Sequence, residues 1–377
     1  MSVGKAASYV GESYAATLCS SAAAIRSLAD KAKQLLLDRH RTFHPDFFLA
    51  SVSEKHWKPL AVAVTFRNRV VGIVYAKERL FCGCPTGIVY SDTTLGVNVV
   101  SEPVHREHVL NVAVGLLLTS GRARALRVIV PHDGFNLQAV SRFASSMDMD
   151  TVSFQVANHS RLELPSTYDD FLNDLGARTR RNFRYYRRRF EAVGGCYEGR
   201  VPFERFCSAA WQLRGKSSIY ADVDGIKRSL KMLAAITEPI LVGLQARDGE
   251  WLSVAGGWCD GGRATVLFQM NNDREYQRDS VSQVLRSYLI EELIARRTHD
   301  IVFWAGTSAP LVRYAERIPA LALYLDSRNP AWRLFRGVVS SIASRLPRPW
   351  REFGHWITPG SVQYDATPMA GVEDDRR

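Results

Sequence analysis

The residues best suited to chemistry lie between Met270 and Val284. A buried-strand pattern ends at Met270, a polar loop follows (Asn271-Asn272-Asp273-Arg274-Glu275-Tyr276-Gln277-Arg278-Asp279), and a helical pattern opens near Ser280. A strand, a turn and a helix N-terminus make an anion site. The first N–H groups of a helix lack intrahelical partners, and its dipole places about half a positive charge there. Arg278 adds a full charge, Ser280 and Ser282 bring hydroxyl donors, and Asp279 opposes an anion. The same residues equally suit plain capping of the helix by Asp279 or Ser280. Asp273 and Glu275 are either bases or solvated loop carboxylates. A second concentration of charge is Tyr168–Glu191, with Arg178, Arg180, Arg181, Arg184, Arg187, Arg188 and Arg189. Phe171, Leu175, Phe183, Tyr186 and Phe190 recur there at helical spacing, giving an amphipathic helix with one cationic face. Three readings stay open for that face: contact with an acidic substrate or cofactor phosphate, binding of RNA or membrane phosphates, or simple solvation. Arg180, Arg181 and Arg184 are expected to face a cleft.

Other candidate motifs fail on their own chemistry. Ala210-Trp211-Gln212-Leu213-Arg214-Gly215-Lys216-Ser217 fits a phosphate loop loosely, but alanine replaces the first glycine and two bulky side chains crowd the cradle. His40/His44 and His105/His108 have metal spacing without a Cys or acidic ligand set, so no metal is expected. There is no G-x-S-x-G elbow and no glycine-rich dinucleotide turn after a strand.

Two runs of elements must position these residues. Leu60–Phe66 and Val70–Ala76 read as a hairpin, Gly87–Tyr90 as a third strand, Glu102–Ser120 as a buried helix, and Leu126–Val130 as a short buried strand. The order returns later: strands Ile240–Ala246, Trp251–Cys259 and Arg263–Met270, the helix Ser280–Arg297, and the strand Ile301–Trp304. Trp251 follows Val70 by 181 positions, Val281 follows Val104 by 177, and Ile301 follows Arg127 by 174. Offsets that similar imply two copies of one fold.

On these residues the chain resembles the GNAT superfamily, and within it the CelD-like acetyltransferases of bacterial polysaccharide synthesis, relatives of the FemAB-type peptidyl transferases. Their basic K/R-x-R-R-x-x-R-R helix is matched by Arg178-Thr179-Arg180-Arg181-Asn182-Phe183-Arg184, with Tyr185 in place of the last basic residue. The resemblance covers about residues 45–335. It implies an α/β fold of two tandem GNAT-like copies with mixed sheets, joined by the basic helix. It implies acyl transfer to an amine or hydroxyl acceptor, with acetyl-CoA or another acyl-CoA as donor. The pyrophosphate would lie on Arg278, Ser280, Val281 and Ser282, and the thioester beside Leu267 and Gln269. Tyr314 stands where that pattern places a tyrosine acid, with Ala315 in place of the usual lysine, and Asp273 is the candidate base. The GNAT loop reads Q/R-x-x-G-x-G/A, whereas Gln277-Arg278-Asp279-Ser280-Val281-Ser282 has serine for both glycines. That loss restricts close backbone approach. It keeps two alternatives open: a FemAB-like transferase using aminoacyl-tRNA, and a non-catalytic module binding an anionic polymer or membrane surface.

Composition bounds the rest. Forty-nine basic residues against 38 acidic give a formal charge of +11, which favours an anionic partner without choosing one. No apolar run reaches spanning length and no secretory leader is legible, so free thiols and a cytoplasmic location are expected. The expected division is a peripheral helical segment 1–44, a non-catalytic copy 45–165, the basic helix and catalytic copy 166–330, and an amphipathic tail 331–377. Within that tail, a helix over Ala331–Leu346 would lie on the body or on a membrane. The acceptor is expected to be a small or sugar-linked molecule; neither its identity nor the oligomeric state is legible.

Overall fold

A computed structural model describes residues 14–342 and 345, apart from 38, 53–54, 93–97, 121–122, 132–141, 143, 218–222, 277–279, 305–306 and 308. The described chain divides into two compact units. One runs to Ala157 and resumes at Pro319; the other is Asn158–Ile318.

In the first unit, strand β1 (Tyr14–Cys19) leads into three short helices, α1 (Ala22–Arg26), α2 (Leu28–Lys31) and α3 (Lys33–Leu36), and then α4 (Pro45–Ser51). The antiparallel meander β2 (Trp57–Phe66), β3 (Arg69–Phe81) and β4 (Cys84–Asp92) follows, with β5 (Val99–Ser101) on β3. Helix α5 (Arg106–Thr119) then crosses to β6 (Ala125–Pro131), which pairs parallel with β4. Val109 to Leu118 apart from Asn111 are buried, as a helix apolar on most of its faces must be.

The segment expected to be peripheral is part of this core. β1 pairs antiparallel with β2 from Tyr14↔Phe66 to Cys19↔Ala61, and Ile25, Leu28 and Leu36 are almost fully buried. The helical part of that segment is three short helices, interrupted at Ser27 and Ala32.

Chain order continues with β7 (Met149–Glu163), α6 (Tyr168–Asp174), α7 (Ala177–Ala192), β8 (Cys196–Glu198), α8 (Phe203–Leu213) and α9 (Val223–Ala234). The second meander is β9 (Ile240–Gln245), β10 (Trp251–Asp260) and β11 (Arg263–Asn271). Helix α10 (Val281–Ala295) crosses to β12 (Asp300–Phe303), parallel to β11. Each unit thus has three antiparallel strands, a helix and a parallel strand in the same connectivity, which is the expected pair of GNAT-like copies. The element expected as one basic helix is two, α6 and α7, separated at Leu175 and Gly176.

Two strands missed by the periodicity close these sheets. Residues 160–163 of β7 pair with β12, and β13 (Glu316–Ser327), which follows the short helix α11 (Ala309–Val312), pairs with β6 from Ala320↔Pro131 to Asp326↔Ala125. The β6–β13 junction holds a buried ion pair: Arg127 Nη2 donates to Asp326 Oδ1 at 3.0 Å, and the guanidinium lies 4.4 Å over the Tyr324 ring. Arg336 on α12 (Pro330–Ile342) reaches the other oxygen of Asp326 at 3.1 Å. Residues after Pro319 therefore fold with the first unit; residues 343, 344 and 346 of the expected tail helix lie outside the described residues, and the helix is described as far as Ile342. It leaves Leu334, Phe335, Val338 and Ile342 exposed. Among the described residues no helix is long and apolar enough to cross a membrane.

In the second unit His159 is 6% exposed, with its Nδ1–H directed at the Trp304 carbonyl. Burial lowers its pKa from 6.5 to about 4. The unfolded chain therefore takes up the proton first, so this stabilisation is complete above pH 6.5 and lost as pH falls toward 4. The loss should reach about 3 kcal/mol at most. Urea denaturation of wild type and of His159→Gln between those pH values should show the acid-side slope reduced in the variant.

Candidate active site

The site is built around one irregularity in β11. Gly256 pairs with Phe268 but Gly257 pairs with Val266, so Leu267 is an extra residue, a β-bulge. A Cβ at position 257 would lie 1.9 Å from the Thr265 carbonyl oxygen, so the bulge requires glycine there. The insertion exchanges faces. Before it, Ala264 and Val266 join the core packed by α10; after it, Phe268 packs at a tilt beside Phe206 of α8, and Gln269 turns to Arg286 of α10.

Pairing with β12 stops at the same point. The parallel register runs from Arg263↔Asp300 to Val266↔Phe303, and the Trp304 N–H donates to the Val266 carbonyl at 3.0 Å. From Leu267 to Asn271, β11 has no strand partner on that side among the described residues. Its backbone groups there are available to a ligand.

Ahead of this edge stands the first turn of α10. Ser280 takes the left-handed conformation, φ 46° and ψ 46°, and makes no side-chain cap bond. Plain capping by Ser280 is thus not what the structure shows. Its carbonyl accepts the N–H groups of Gln283 and Val284, while those of Val281 and Ser282 have no hydrogen-bond partner among the described residues. A non-glycine residue in this region carries about 1 kcal/mol of strain or more, at the position where the GNAT pattern has glycine. Gln277, Arg278 and Asp279 lie outside the described residues.

A cavity of about 630 Å³ adjoins that turn, lined by Tyr186, Arg189 and Phe190 of α7, the β9–β10 turn at Ala246–Asp248, Tyr276, and Val281 and Val284 of α10. Helix α7 is clamped to α10 by Arg187, which donates to Glu291 at 2.6 Å and lies 4.0 Å over the Tyr288 ring. Phe183 and Phe190 are buried, so Arg181, Arg184 and Arg188 point to solvent and Arg180 reaches Asn173 at 3.3 Å. The arginine that reaches the cavity is Arg189, not Arg180, Arg181 or Arg184. Helical spacing identified the charged face but not the turn at which it meets the cavity.

The loop before α10 is fixed from outside. Lys216 Nζ reaches Glu250 at 2.6 Å and Glu275 at 3.2 Å, and Asn272 Nδ2 donates to Glu275 at 2.7 Å. Glu275 is thus a tether, held below its usual pKa by those two hydrogen bonds, and the lysine of the failed phosphate-loop motif is its anchor. Asp273 is half-buried on the same loop. Tyr314 lines a different cavity, of about 380 Å³, with Arg161, Glu163, Asp174 and Glu316. Its hydroxyl oxygen accepts the Gly176 N–H at 2.7 Å, at the start of α7. The two cavities share no lining residue, and neither brings Tyr314 and Asp273 together.

Leu267 and Gln269 are buried at the bulge. Gln269 belongs to a polar chain that pattern reading missed. Ser253 Oγ donates to Asn271 Oδ1 at 2.6 Å, Gln269 Nε2 to the same oxygen at 3.0 Å, and Arg286 Nε to Gln269 Oε1 at 2.9 Å. Arg286 Nη1 continues the chain to Thr307 Oγ1 at 3.0 Å. Burial lowers the Arg286 pKa to about 10, which leaves it charged at neutral pH.

Residues 177–314 match the family described as Acetyltransferase (GNAT) domain. These residues form a GNAT domain. No curated protein matches the chain. Among solved structures, that of FemX is similar at 13% identity, covering 74% of this chain and 90% of that one with a TM-score of 0.51. The C-terminal domain of a protein described as a lysylphosphatidylglycerol synthetase, from Agrobacterium fabrum, is similar at 10% identity, covering 85% and 97% with a TM-score of 0.50. Both are likenesses of fold to the chain that carries the GNAT domain.

Two substitutions probe this geometry. Gly257→Ala should cost about 2–3 kcal/mol, since backbone must move to admit the methyl group, and urea denaturation would read it. Ser280→Gly should raise stability by roughly 0.5–1 kcal/mol by relieving the left-handed serine, visible as a higher melting temperature; an unchanged or lower value would contradict the strain.

Proposed function

We propose that the GNAT domain transfers an acyl group from acyl-CoA to an amine or hydroxyl acceptor. The observation that carries this reading is the open edge of β11 at the Leu267 bulge, together with an α10 first turn whose Val281 and Ser282 N–H groups have no partner among the described residues. The residues present suit the donor. The N–H groups of Val281 and Ser282, the Ser282 hydroxyl and Arg278 would hold the pyrophosphate. The backbone of Leu267–Gln269 would lie beside the thioester and supply donors to an oxyanion. Acyl-CoA supplies the activated acyl carbon. Tyr314 is the acid of this reading, because its oxygen already accepts from Gly176 and its own proton is free to be donated. Asp273 stands as the base. The acceptor would be a small or sugar-linked molecule of the cell envelope or a polysaccharide.

A second reading rests on the solvent-facing row Arg178, Arg181, Arg184 and Arg188 of α7. Four exposed cations along one helix suit a nucleic-acid backbone, which fits the aminoacyl-tRNA donor that the FemAB-like resemblance leaves open. In the first unit, the exposed apolar residues of α12 by themselves suit a membrane surface.

Calorimetry decides between the donors. Acetyl-CoA should bind wild type with modest affinity, and Arg278→Glu should weaken it about ten- to thirtyfold, the loss expected for a partly exposed charge-assisted contact. Absence of binding at millimolar acetyl-CoA, together with tRNA binding whose logarithm falls steeply with log salt, would replace the first reading by the second.

A further inference from the structure

Inside the GNAT domain one buried arginine has no acid opposite it among the described residues. Arg286, in the second turn of α10, is 6% exposed. It donates to Gln269 and Thr307, and its guanidinium lies 4.8 Å over the Phe303 ring. Gln269 leads only to Asn271 and Ser253, so every group in the chain is neutral. Among the described residues no carboxylate is within ion-pair reach of Arg286, and its Nη2 group has no hydrogen-bond partner.

A buried ionic group without a counter-charge is expensive, and neutral dipoles and a ring face offset only part of that. An apolar residue of similar size would fill the volume without that penalty. The positions of the partners show where a counter-charge would come from. Gln269 lies just past the bulge on the open edge of β11, and Phe303 and Thr307 lie at the end of β12 and just after it. The guanidinium therefore reaches from β11 to β12 where their pairing has stopped.

We propose that Arg286 binds a carboxylate carried by one of the two substrates of this site, an inference that rests on the acyl-transfer reading. With Nε–H and one Nη1–H engaged, the other Nη1–H and both Nη2–H groups remain. Their shared edge matches the two oxygens of a planar carboxylate. A single cation in neutral surroundings balances one negative charge, which a carboxylate supplies and a phosphate monoester exceeds. The carboxylate has two chemical sources, the far end of a dicarboxylic acyl group on the donor or the carboxylate of an amino-acid acceptor. Arg286 would then be a specificity residue.

The donor arm compares succinyl-CoA with acetyl-CoA by calorimetry on wild type and Arg286→Met. The acceptor arm compares L-glutamate and L-alanine with their α-amides by thermal shift and calorimetry. In one arm, wild type should prefer the carboxylate at least tenfold, and Arg286→Met should abolish the preference. Arg286→Lys should keep part of it, because the charge remains and the paired donors do not. Arg286→Met should also unfold at the same or a higher temperature without ligand, which separates loss of the anion site from loss of fold. A preference in neither arm, or one that survives in Arg286→Met, overturns the proposal. Failure of every CoA ester to bind rejects the acyl-CoA donor, while the acceptor arm still decides for or against Arg286.

Discussion

One residue inserted into β11 opposite Gly257 changes the face to which each later side chain of that strand points. Without it, Phe268 would enter the α10 side and Gln269 would not reach Arg286. With it, a strand that is apolar toward its helix for half its length becomes polar toward it for the rest. The same insertion ends the ladder with β12, since two parallel strands stay in register only while their pleats agree. The open edge, the polar chain from Ser253 to Thr307 and the placement of the α10 first turn all depend on this step. Gly257 makes the step possible, because only a residue without Cβ tolerates the Thr265 carbonyl so close.

Around that step the second unit is arranged to keep a helix end exposed. The loop before α10 is tied down by Lys216, Glu250, Asn272 and Glu275, a set of exposed and half-exposed pairs that is individually weak. Together they hold Asn272 to Glu275 from several directions, while the Val281 and Ser282 N–H groups have no partner among the described residues. Helix α7 contributes in two ways. Phe183, Phe190 and Arg187 dock it on α10, and its C-terminal turn carries Arg189 to the cavity wall. The local conflict at Ser280, a serine where backbone geometry asks for glycine, falls at the point where a ligand would approach, as strained residues commonly do.

Much of this was legible in the sequence. Periodicity and turn residues placed both meanders, the crossing helices and the parallel strands after them, and their common spacing exposed the repeat. What failed did so for physical reasons. β1 is six residues long, with two alanines and no Val or Ile to mark it as a strand, and β7 and β13 make pairings that no local pattern encodes. The bulge leaves no periodic trace, because one extra residue beside a Gly-Gly pair reads as a slightly longer strand. Arg286 was passed over as a polar residue in an amphipathic helix. Its spacing carried a signal: it stands three before Leu289 and seven before Leu293, on the stripe those leucines bury. The arginines of α7 were read correctly as a charged face and incorrectly as a cleft, since composition does not say which turn of a helix meets a cavity.

The closing strand of the first unit has a consequence for how the chain is made. β6 leaves the ribosome long before β13, and the buried Arg127 meets its carboxylate Asp326 only after 199 further residues have been added. Domains ordinarily fold in the order they are synthesised. Here the sheet of the first unit stays one strand short, with an unpaired edge and an uncompensated cation, until β13 has been made. The second unit, whose strands β8 to β12 are all made before β13, can complete its own meander first. The nascent protein thus matures from its second half back to its first, and the interval is the time in which an open β6 edge is vulnerable to pairing with another chain.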